Sequence, residues 1–271
     1  MENKTGVLPI LNYHAIETTP GNDPLDFRQR DYALSLDAFR EQLDYLPREG
    51  YRSLSSKEMA LWFEAQDEKA ALCMVLTFDD GLISHYEWVL PELSARNLKG
   101  IFFVTPTLIG TKGHMTWDHL KELLKKGHEI GSHGLTHRSL TYISARTLWQ
   151  ELAGSKKMIE DNLGMIADCF SVPRAYYNPR VLRAAEEVGY RLLFTSFADV
   201  NGRDGQRPLS LNRIAMKPEM DIRLFQRLIQ GQCGDVHRRE TIKAFLRGTV
   251  PPVIYDLAAT LKQAVSTRGR V

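Results

Sequence analysis

Two adjacent carboxylates, Asp79 and Asp80, end the apolar segment CMVLTF, which the hydrophobic pattern predicts to be a buried strand. Adjacent like charges repel each other, and a buried carboxylate without a partner is energetically expensive. The pair therefore predicts a cation beside it, either an arginine or a metal ion. A lone Asp-Asp-Gly sequence is more often a solvated turn than a functional site, so the interpretation depends on what lies nearby.

Two histidines four residues apart, His133 and His137, occur in the segment SHGLTH after a further predicted strand. Two imidazoles and one carboxylate suit zinc or a similar divalent ion and leave coordination positions for water and substrate. Such an ion lowers the pKa of its water, and the second carboxylate could then act as the general base toward that water. The histidine pair alone is more often part of a surface loop. Its combination with the aspartate pair predicts a hydrolytic metal centre.

The elements that would position these side chains alternate along the chain. Short, continuous apolar runs are separated by helix-like stretches with polar caps and glycine stops. This alternation predicts an α/β fold with a parallel sheet covered by helices, closed or nearly closed. The predicted strands include VLPILNYH, CMVLTFDD, GIFFVT, HEIGSH, CFSVP and LLFTSF.

In α/β barrels, residues at the carboxyl ends of the strands form the active site. The first predicted strand ends in His14, the third in the aspartate pair, and a later one in Pro173 and Arg174. Taken alone, His14 is more often a histidine satisfied near the core. Because several chemically active residues end successive strands, we expect them to share one face of the sheet.

Length and composition exclude several classes of protein. The chain has 271 residues, with 43% hydrophobic and 25% charged residues, as in ordinary globular proteins. The net charge of +2 is nearly neutral and the basic residues are dispersed, so we expect no nucleic-acid partner. No apolar run approaches the length of a membrane span. The first residues show no signal-peptide pattern, so we expect a cytoplasmic protein, or a periplasmic or extracellular one if a signal peptide was removed.

The cysteines predict no disulfide scaffold. Their number is odd, their spacing is wide and they form no C-x-x-C pair, so reduced thiols are expected at Cys73, Cys169 and Cys233.

Four segments resemble a known family. The segments TFDDG (Thr77–Gly81), SHGLTH (Ser132–His137) and FSVPRAYYN (Phe170–Asn178) resemble the three leading motifs of the polysaccharide deacetylases, carbohydrate esterase family 4. The segment ILNYHAI (Ile10–Ile16) resembles the start of a circularly rearranged branch that includes the deacetylases of poly-N-acetylglucosamine. The resemblance extends from about Val7 to Gly231.

This resemblance implies a fold, a reaction and a cofactor. The fold would be a distorted (β/α) barrel of about seven parallel strands over residues 1–231, with residues 232–271 as a C-terminal helical extension of the same domain. The reaction would be hydrolysis of N-acetyl groups on an amino sugar in a polysaccharide or oligosaccharide. The cofactor would be one divalent metal ion, with zinc favoured over nickel or cobalt.

The resemblance also implies roles for individual residues. Asp79 would be the general base, and His14 the general acid that protonates the leaving amine. The backbone N–H of Arg174 would stabilise the oxyanion. Family members often carry an arginine two residues before the motif-three proline, paired with the base, but this chain has Ser171 there. The implied metal ligands are Asp80, His133 and His137.

Three aromatic residues could line the sugar site, or could only pack against the barrel: Trp117, Tyr176 and Tyr177. Two alternative functions remain open from the sequence. A cytoplasmic metal-dependent amidohydrolase of a small molecule would use the same metal site. A non-catalytic carbohydrate-binding relative would carry a degraded site, which the serine at position 171 slightly favours.

Overall fold

The computed structural model describes residues 6–19, 30–65, 72–175, 177–202 and 210–238. In chain order the strands are β1 (Val7–Leu8), β2 (Ile10–Tyr13), β3 (Ile16–Glu17), β4 (Leu34–Ser35), β5 (Arg52–Ser53), β6 (Cys73–Phe78), β7 (Ile101–Val104), β8 (Glu129–Ser132), β9 (Cys169–Ser171), β10 (Leu192–Phe194), β11 (Asn201–Gly202), β12 (Ser210–Leu211) and β13 (Ile214–Ala215). The α-helices are α1 (Leu36–Arg48), α2 (Ser56–Glu64), α3 (Leu90–Ala95), α4 (Trp117–Lys125), α5 (Ala145–Leu163), α6 (Pro179–Val188) and α7 (Ile222–Ile229).

A nine-stranded parallel sheet forms the centre of the fold. Its strands lie in the order β12, β10, β9, β8, β7, β6, β2 and β13, and β5 pairs with the first residues of β6. Two small pairs lie outside it, β1 with β11 and β3 with β4. The family resemblance predicted about seven parallel strands; three of the nine observed strands, β5, β12 and β13, are only two residues long.

The sheet is curled so that its two edges approach each other. Strands β12 and β13 lie at opposite ends of the strand order, yet only Asn212 and Arg213 separate them in the chain. Because an extended chain covers at most about 3.6 Å per residue, the two edges lie within roughly 11 Å of each other. This confirms the predicted barrel-like α/β fold.

Burial and capping explain why these segments form these elements. Every residue of β6 is buried, as expected for a strand covered on both faces. Helix α2 begins with a capping box, in which the Ser55 hydroxyl accepts from the Glu58 N–H and the Glu58 carboxylate accepts from the Ser55 N–H. Helix α5 begins after Ser144 and ends at Gly164, whose φ of +65° suits glycine.

All three cysteines are reduced and buried, as predicted. Within the described residues, no helix is both long and apolar enough to cross a membrane. The described residues end at Arg238, so residues 239–271 of the predicted C-terminal helical extension lie outside them. The proposed division at residues 231 and 232 therefore stays a prediction.

Candidate metal centre and active site

A sharp turn after β6 directs the two aspartates to different partners. The Asp79 N–H donates to the Tyr13 carbonyl of β2 at 2.9 Å, which continues the ladder between the two strands. Asp80 then has a φ of +77° and Gly81 a φ of +68°. A positive φ is uncommon outside glycine, although aspartate tolerates it better than most residues. The consequence is that the two carboxylates have different nearest partners, although His133 Nε2 also lies 4.0 Å from Asp79 Oδ2.

Asp80 lies beside the two predicted histidine ligands. The Asp80 Oδ1 atom is 3.2 Å from His137 Nε2 and 3.5 Å from His133 Nε2. One ligand atom from each of the three residues lies within 4.8 Å of the other two. In a tetrahedral zinc site with ligand distances of about 2.0–2.1 Å, neighbouring ligand atoms are roughly 3.3 Å apart. The observed separations fit one small divalent ion.

The tautomer of His133 supports a cation at this position. His133 Nδ1 lies 2.9 Å from the Ser171 carbonyl, which can only accept, so Nδ1 carries the proton. Burial lowers the pKa of His133 to about 4, so the ring is neutral at neutral pH. Its Nε2 therefore presents a lone pair to the Asp80 carboxylate. Two acceptors that face each other in a buried site are favourable only with a cation between them.

A buried glutamate on α5 anchors the loop that carries His137. The Glu151 carboxylate accepts from the backbone N–H groups of Leu135 and Thr136, both at 3.0 Å, and from the Thr136 hydroxyl at 2.6 Å. Arg138 Nε also lies 3.2 Å from this carboxylate. His137 itself has a φ of +57°, an uncommon conformation that surrounding contacts must maintain.

Asp79 is paired with an arginine from the link between strands β12 and β13. Arg213 Nη1 donates to Asp79 Oδ1 and Nη2 donates to Oδ2, each at 2.8 Å. The Oδ2 atom also accepts from the Ser171 hydroxyl at 3.1 Å and from Asn12 Nδ2 at 3.3 Å. The arginine expected from the family pattern at position 171 is thus replaced in space by Arg213, while Ser171 bridges the two charged groups.

Sequence reasoning missed Arg213. Its side chain is fully buried, with the guanidinium 5.6 Å from the Phe103 ring and Nε donating to the Thr195 carbonyl at 2.8 Å. The available signal was a single arginine among the apolar residues of the segment LNRIAM, together with the need of Asp79 for a cation. A buried arginine nearly always requires such a partner.

The charges in the site keep both carboxylates ionised. Burial raises the pKa of Asp79, but Arg213 and the neighbouring histidines His133 and His14 together outweigh this effect and hold that pKa well below its usual range. Burial also raises the pKa of Asp80, but the hydrogen bond and charge of His137, with the charges of His14 and His133, together hold this pKa well below its usual range too. For His137, burial lowers the pKa, whereas the bond to Asp80 raises it, and the net pKa is raised.

His14 lies level with the aspartate pair. Tyr13 of β2 is in register with Phe78 of β6, so His14 and Asp79 are the next residues on two neighbouring strands. Burial lowers the pKa of His14, and the negative charges of Asp80 and Asp79 oppose this shift. The Tyr32 ring packs against the imidazole, with ring centres 4.7 Å apart. His14 Nδ1 is buried and has no hydrogen-bond partner among the described residues.

The remaining predicted site residues have different surroundings. Arg174 has a φ of +58°, and its Nε donates to the His137 carbonyl at 3.2 Å, next to the candidate metal ligands. Trp117 is half-buried at the first position of α4, and Tyr177 is 37% exposed. Tyr176 lies outside the described residues. The substrate contacts proposed for these aromatic side chains stay predictions.

Comparisons with known proteins agree with this geometry. Residues 66–193 match the polysaccharide deacetylase family. YxkH of Bacillus subtilis (strain 168), whose name assigns it provisionally to the polysaccharide deacetylases, is 30% identical over 217 residues, covering 80% of this chain and 74% of YxkH. The peptidoglycan-N-acetylglucosamine deacetylase PgdA of Listeria monocytogenes is 31% identical over 121 residues, which are 44% of this chain but only 24% of PgdA.

A solved structure shows the same fold. The deacetylase PplD of Streptococcus pyogenes, determined in complex with acetate, superposes with a TM-score of 0.73 at 27% identity. The superposition covers 82% of this chain and 98% of that one. The sequence motifs, the barrel and these relatives agree, and this chain belongs to the polysaccharide deacetylase family.

Proposed function

We propose that this protein is a metal-dependent hydrolase that removes N-acetyl groups from an amino sugar in a polysaccharide or oligosaccharide. The observation that carries the proposal is that the two adjacent aspartates have different partners. Asp79 is paired with an arginine and Asp80 with two imidazoles, at the carboxyl ends of parallel strands. Such an arrangement provides a base and a metal ligand set within one turn of chain.

Asp80, His133 and His137 would hold the ion. When bound, a divalent ion at this place would lower the pKa of a water molecule and polarise the acetyl carbonyl. Zinc suits the two nitrogen ligands and one oxygen ligand, and nickel or cobalt would also fit such a set. The three protein ligands leave coordination positions for water and substrate.

Asp79 accepts a proton from the attacking water. Its pKa is held well below the usual range, so its carboxylate is ionised at neutral pH. Of its two oxygens, Oδ2 receives bonds from Arg213, Ser171 and Asn12, whereas Oδ1 receives one bond from Arg213. Oδ1 therefore keeps more capacity for the proton, and Arg213 fixes the orientation of the carboxylate.

His14 donates a proton to the departing amine as the C–N bond breaks, so that acetate and a free amino sugar are released. The negative charges of Asp79 and Asp80 favour the protonated imidazole that this step requires. The backbone N–H of Arg174 stabilises the negative charge that develops on the acetyl oxygen. Its place beside the His137 carbonyl supports this role. An N-terminal acid of this kind is what the rearranged branch of the family would use.

The amino-sugar substrate is inferred from the relatives. PgdA is named for removal of acetyl groups from N-acetylglucosamine in peptidoglycan, and PplD was solved with acetate, the product expected here. Trp117 and Tyr177 would contribute sugar-stacking surfaces at the rim of the site.

Elemental analysis of the purified protein, combined with acetate release, tests the proposal. The substrates are chitooligosaccharides of several lengths and a panel of small N-acetyl compounds. We expect about one divalent ion per chain and acetate from the oligosaccharides. Metal with hydrolysis of small amides alone would indicate a small-molecule amidohydrolase. A protein that takes up no zinc, nickel or cobalt would contradict the hydrolase and favour a carbohydrate-binding protein.

A further inference from the structure

A buried histidine directly after the aspartate turn has a distinctive environment. His85 has no exposed surface and lies against the rings of Phe78 and Phe102, with ring centres 5.6 Å and 5.9 Å away. Burial lowers its pKa to about 4, so the ring is neutral near pH 7. A polar side chain in such apolar surroundings requires a hydrogen bond to offset its desolvation.

His85 makes that bond to the main chain of His14. Its Nε2 lies 2.8 Å from the His14 carbonyl oxygen, which can only accept, so Nε2 carries the proton. The other ring nitrogen, Nδ1, is buried and has no hydrogen-bond partner among the described residues. An apolar side chain of similar size would fill this space without an unpaired nitrogen. The contribution that only the imidazole makes is therefore the bond to His14.

The residue before His85, Ser84, also contacts the chain that follows His14. The Ser84 hydroxyl accepts from the Ile16 N–H at 3.4 Å, two residues beyond His14. His85 also begins a π-helical turn, His85–Val89, which replaces the first regular turn before α3. Such turns are rare and occur frequently at functional sites. Ser84 and His85 thus both contact the main chain between His14 and Ile16, at and just after the predicted general acid.

We propose that His85 is a positioning residue that holds the main chain of His14 so that the His14 imidazole faces the leaving amine. The inference rests on the proposed function of His14 as the general acid. It differs from a packing role because it concerns one step of the reaction. Loss of the bond should impair proton donation to the leaving group and leave the metal site intact.

Two substrates with different leaving groups distinguish a positioning role of His85 from a packing role. An N-acetylated chitooligosaccharide releases an amine that must be protonated, whereas an activated aryl acetate releases a phenolate that needs no proton. The variant His85→Leu removes the donor, and His85→Gln keeps an N–H at a similar distance from the main chain. A matched control is His128→Leu. His128 is also buried against Phe102, but its Nδ1 accepts from the Gly100 N–H, at the amino end of β7 and away from His14.

We expect His85→Leu to lower kcat on the oligosaccharide by about 10²-fold, the size typical of a misplaced catalytic group. Its rate on the aryl acetate and its metal content should stay at the wild-type level. His85→Gln should recover most of the lost rate, and His128→Leu should leave the ratio of the two rates unchanged. Equal losses on both substrates, or no loss with His85→Leu, would overturn the inference. An inactive wild-type protein would instead contradict the proposed function.

The tautomer of His85 can be measured in the unaltered protein. In a ¹⁵N-labelled sample at pH 7, we expect Nε2 to carry the proton and Nδ1 to be bare. A proton on Nδ1 would exclude the bond to the His14 carbonyl and overturn the inference, whether or not the variants fold.

Discussion

Arg213 pairs with Asp79 through two parallel hydrogen bonds, each 2.8 Å long, across 134 positions of sequence. Both side chains are almost completely buried. A bidentate pair of this kind fixes the plane of the carboxylate as well as its charge. In the proposed mechanism, Asp79 is a base whose orientation this pair fixes. Its partner comes from the two-residue link between the edge strands β12 and β13.

Replacing Arg213 with methionine should therefore destabilise the protein strongly. The change leaves the Asp79 charge buried without its main partner, which costs about 3–5 kcal/mol in comparable pairs. Denaturant unfolding would measure this loss in the free energy of unfolding. The double variant Arg213→Met with Asp79→Asn removes both charges and should recover most of it. A single variant as stable as the wild type would show that the pair does not hold the barrel together.

The fold was predictable from the sequence because it depends on local patterns. Continuous apolar runs alternate with capped helices, so the parallel sheet follows from residues close together in the chain. The ligand set could be predicted as well, because His133 and His137 share one loop and the Asp79 and Asp80 pair ends a strand. Position at strand ends is sufficient to bring such residues to one face.

The partners of these residues could not be predicted in the same way. Arg213 reaches Asp79 from the link between β12 and β13, 134 positions along the chain, and no short-range spacing encodes that contact. The family arginine is missing at position 171, and the guanidinium that pairs with Asp79 in its place is that of Arg213. The bond from His85 to the His14 carbonyl likewise depends on tertiary structure.

Replacing Asp79 with asparagine should separate metal binding from catalysis. The variant keeps the shape of the side chain but cannot accept the proton of the attacking water. Turnover should fall by the ~10²–10⁴ typical of a lost general base, while the metal content stays near that of the wild type. Acetate release and elemental analysis on one preparation give both values. Turnover near the wild-type level would remove Asp79 from the mechanism.

His14 and His137 provide a second contrast. His14→Ala should lower the rate without changing metal affinity, because the role proposed for His14 is to protonate the leaving group. His137→Ala should lose the metal, because it removes one of three candidate ligand atoms. Metal titration of the two variants compares them directly. Loss of metal from His14→Ala would contradict its assignment as the acid.

The stability of the protein should depend on the neutral state of His85. Its pKa is about 4 in the folded protein, against about 6.5 in an unfolded chain. Between these values the unfolded chain binds a proton that the folded protein does not, so stability falls as the pH is lowered from 6.5 to 4. In His85→Gln this contribution is absent. The difference in unfolding free energy between wild type and variant should thus change by about 3 kcal/mol between pH 7 and pH 4. Parallel unfolding curves across this range would contradict the buried, neutral histidine.

Glu151 should control the affinity of the metal site without touching the ion. Its carboxylate accepts from two backbone N–H groups and from the Thr136 hydroxyl, in the loop that carries His137. Glu151→Gln places an N–H₂ group among these donors, so the loop must shift and the His137 imidazole loses its fixed position. Loss of such supporting contacts typically weakens metal binding about 10–100-fold.

A metal titration, monitored with a fluorescent chelator, measures this change in metal affinity. The matched control is Glu160→Gln, because Glu160 lies on the same helix and accepts from the Ala167 N–H, away from His137. The control should bind metal as the wild type does. In Glu151→Gln, a higher metal concentration should restore activity, because the three ligand side chains are unchanged. If its affinity equals that of the wild type, the conformation of His137 does not depend on Glu151, and the φ of +57° at His137 must be maintained by the loop itself.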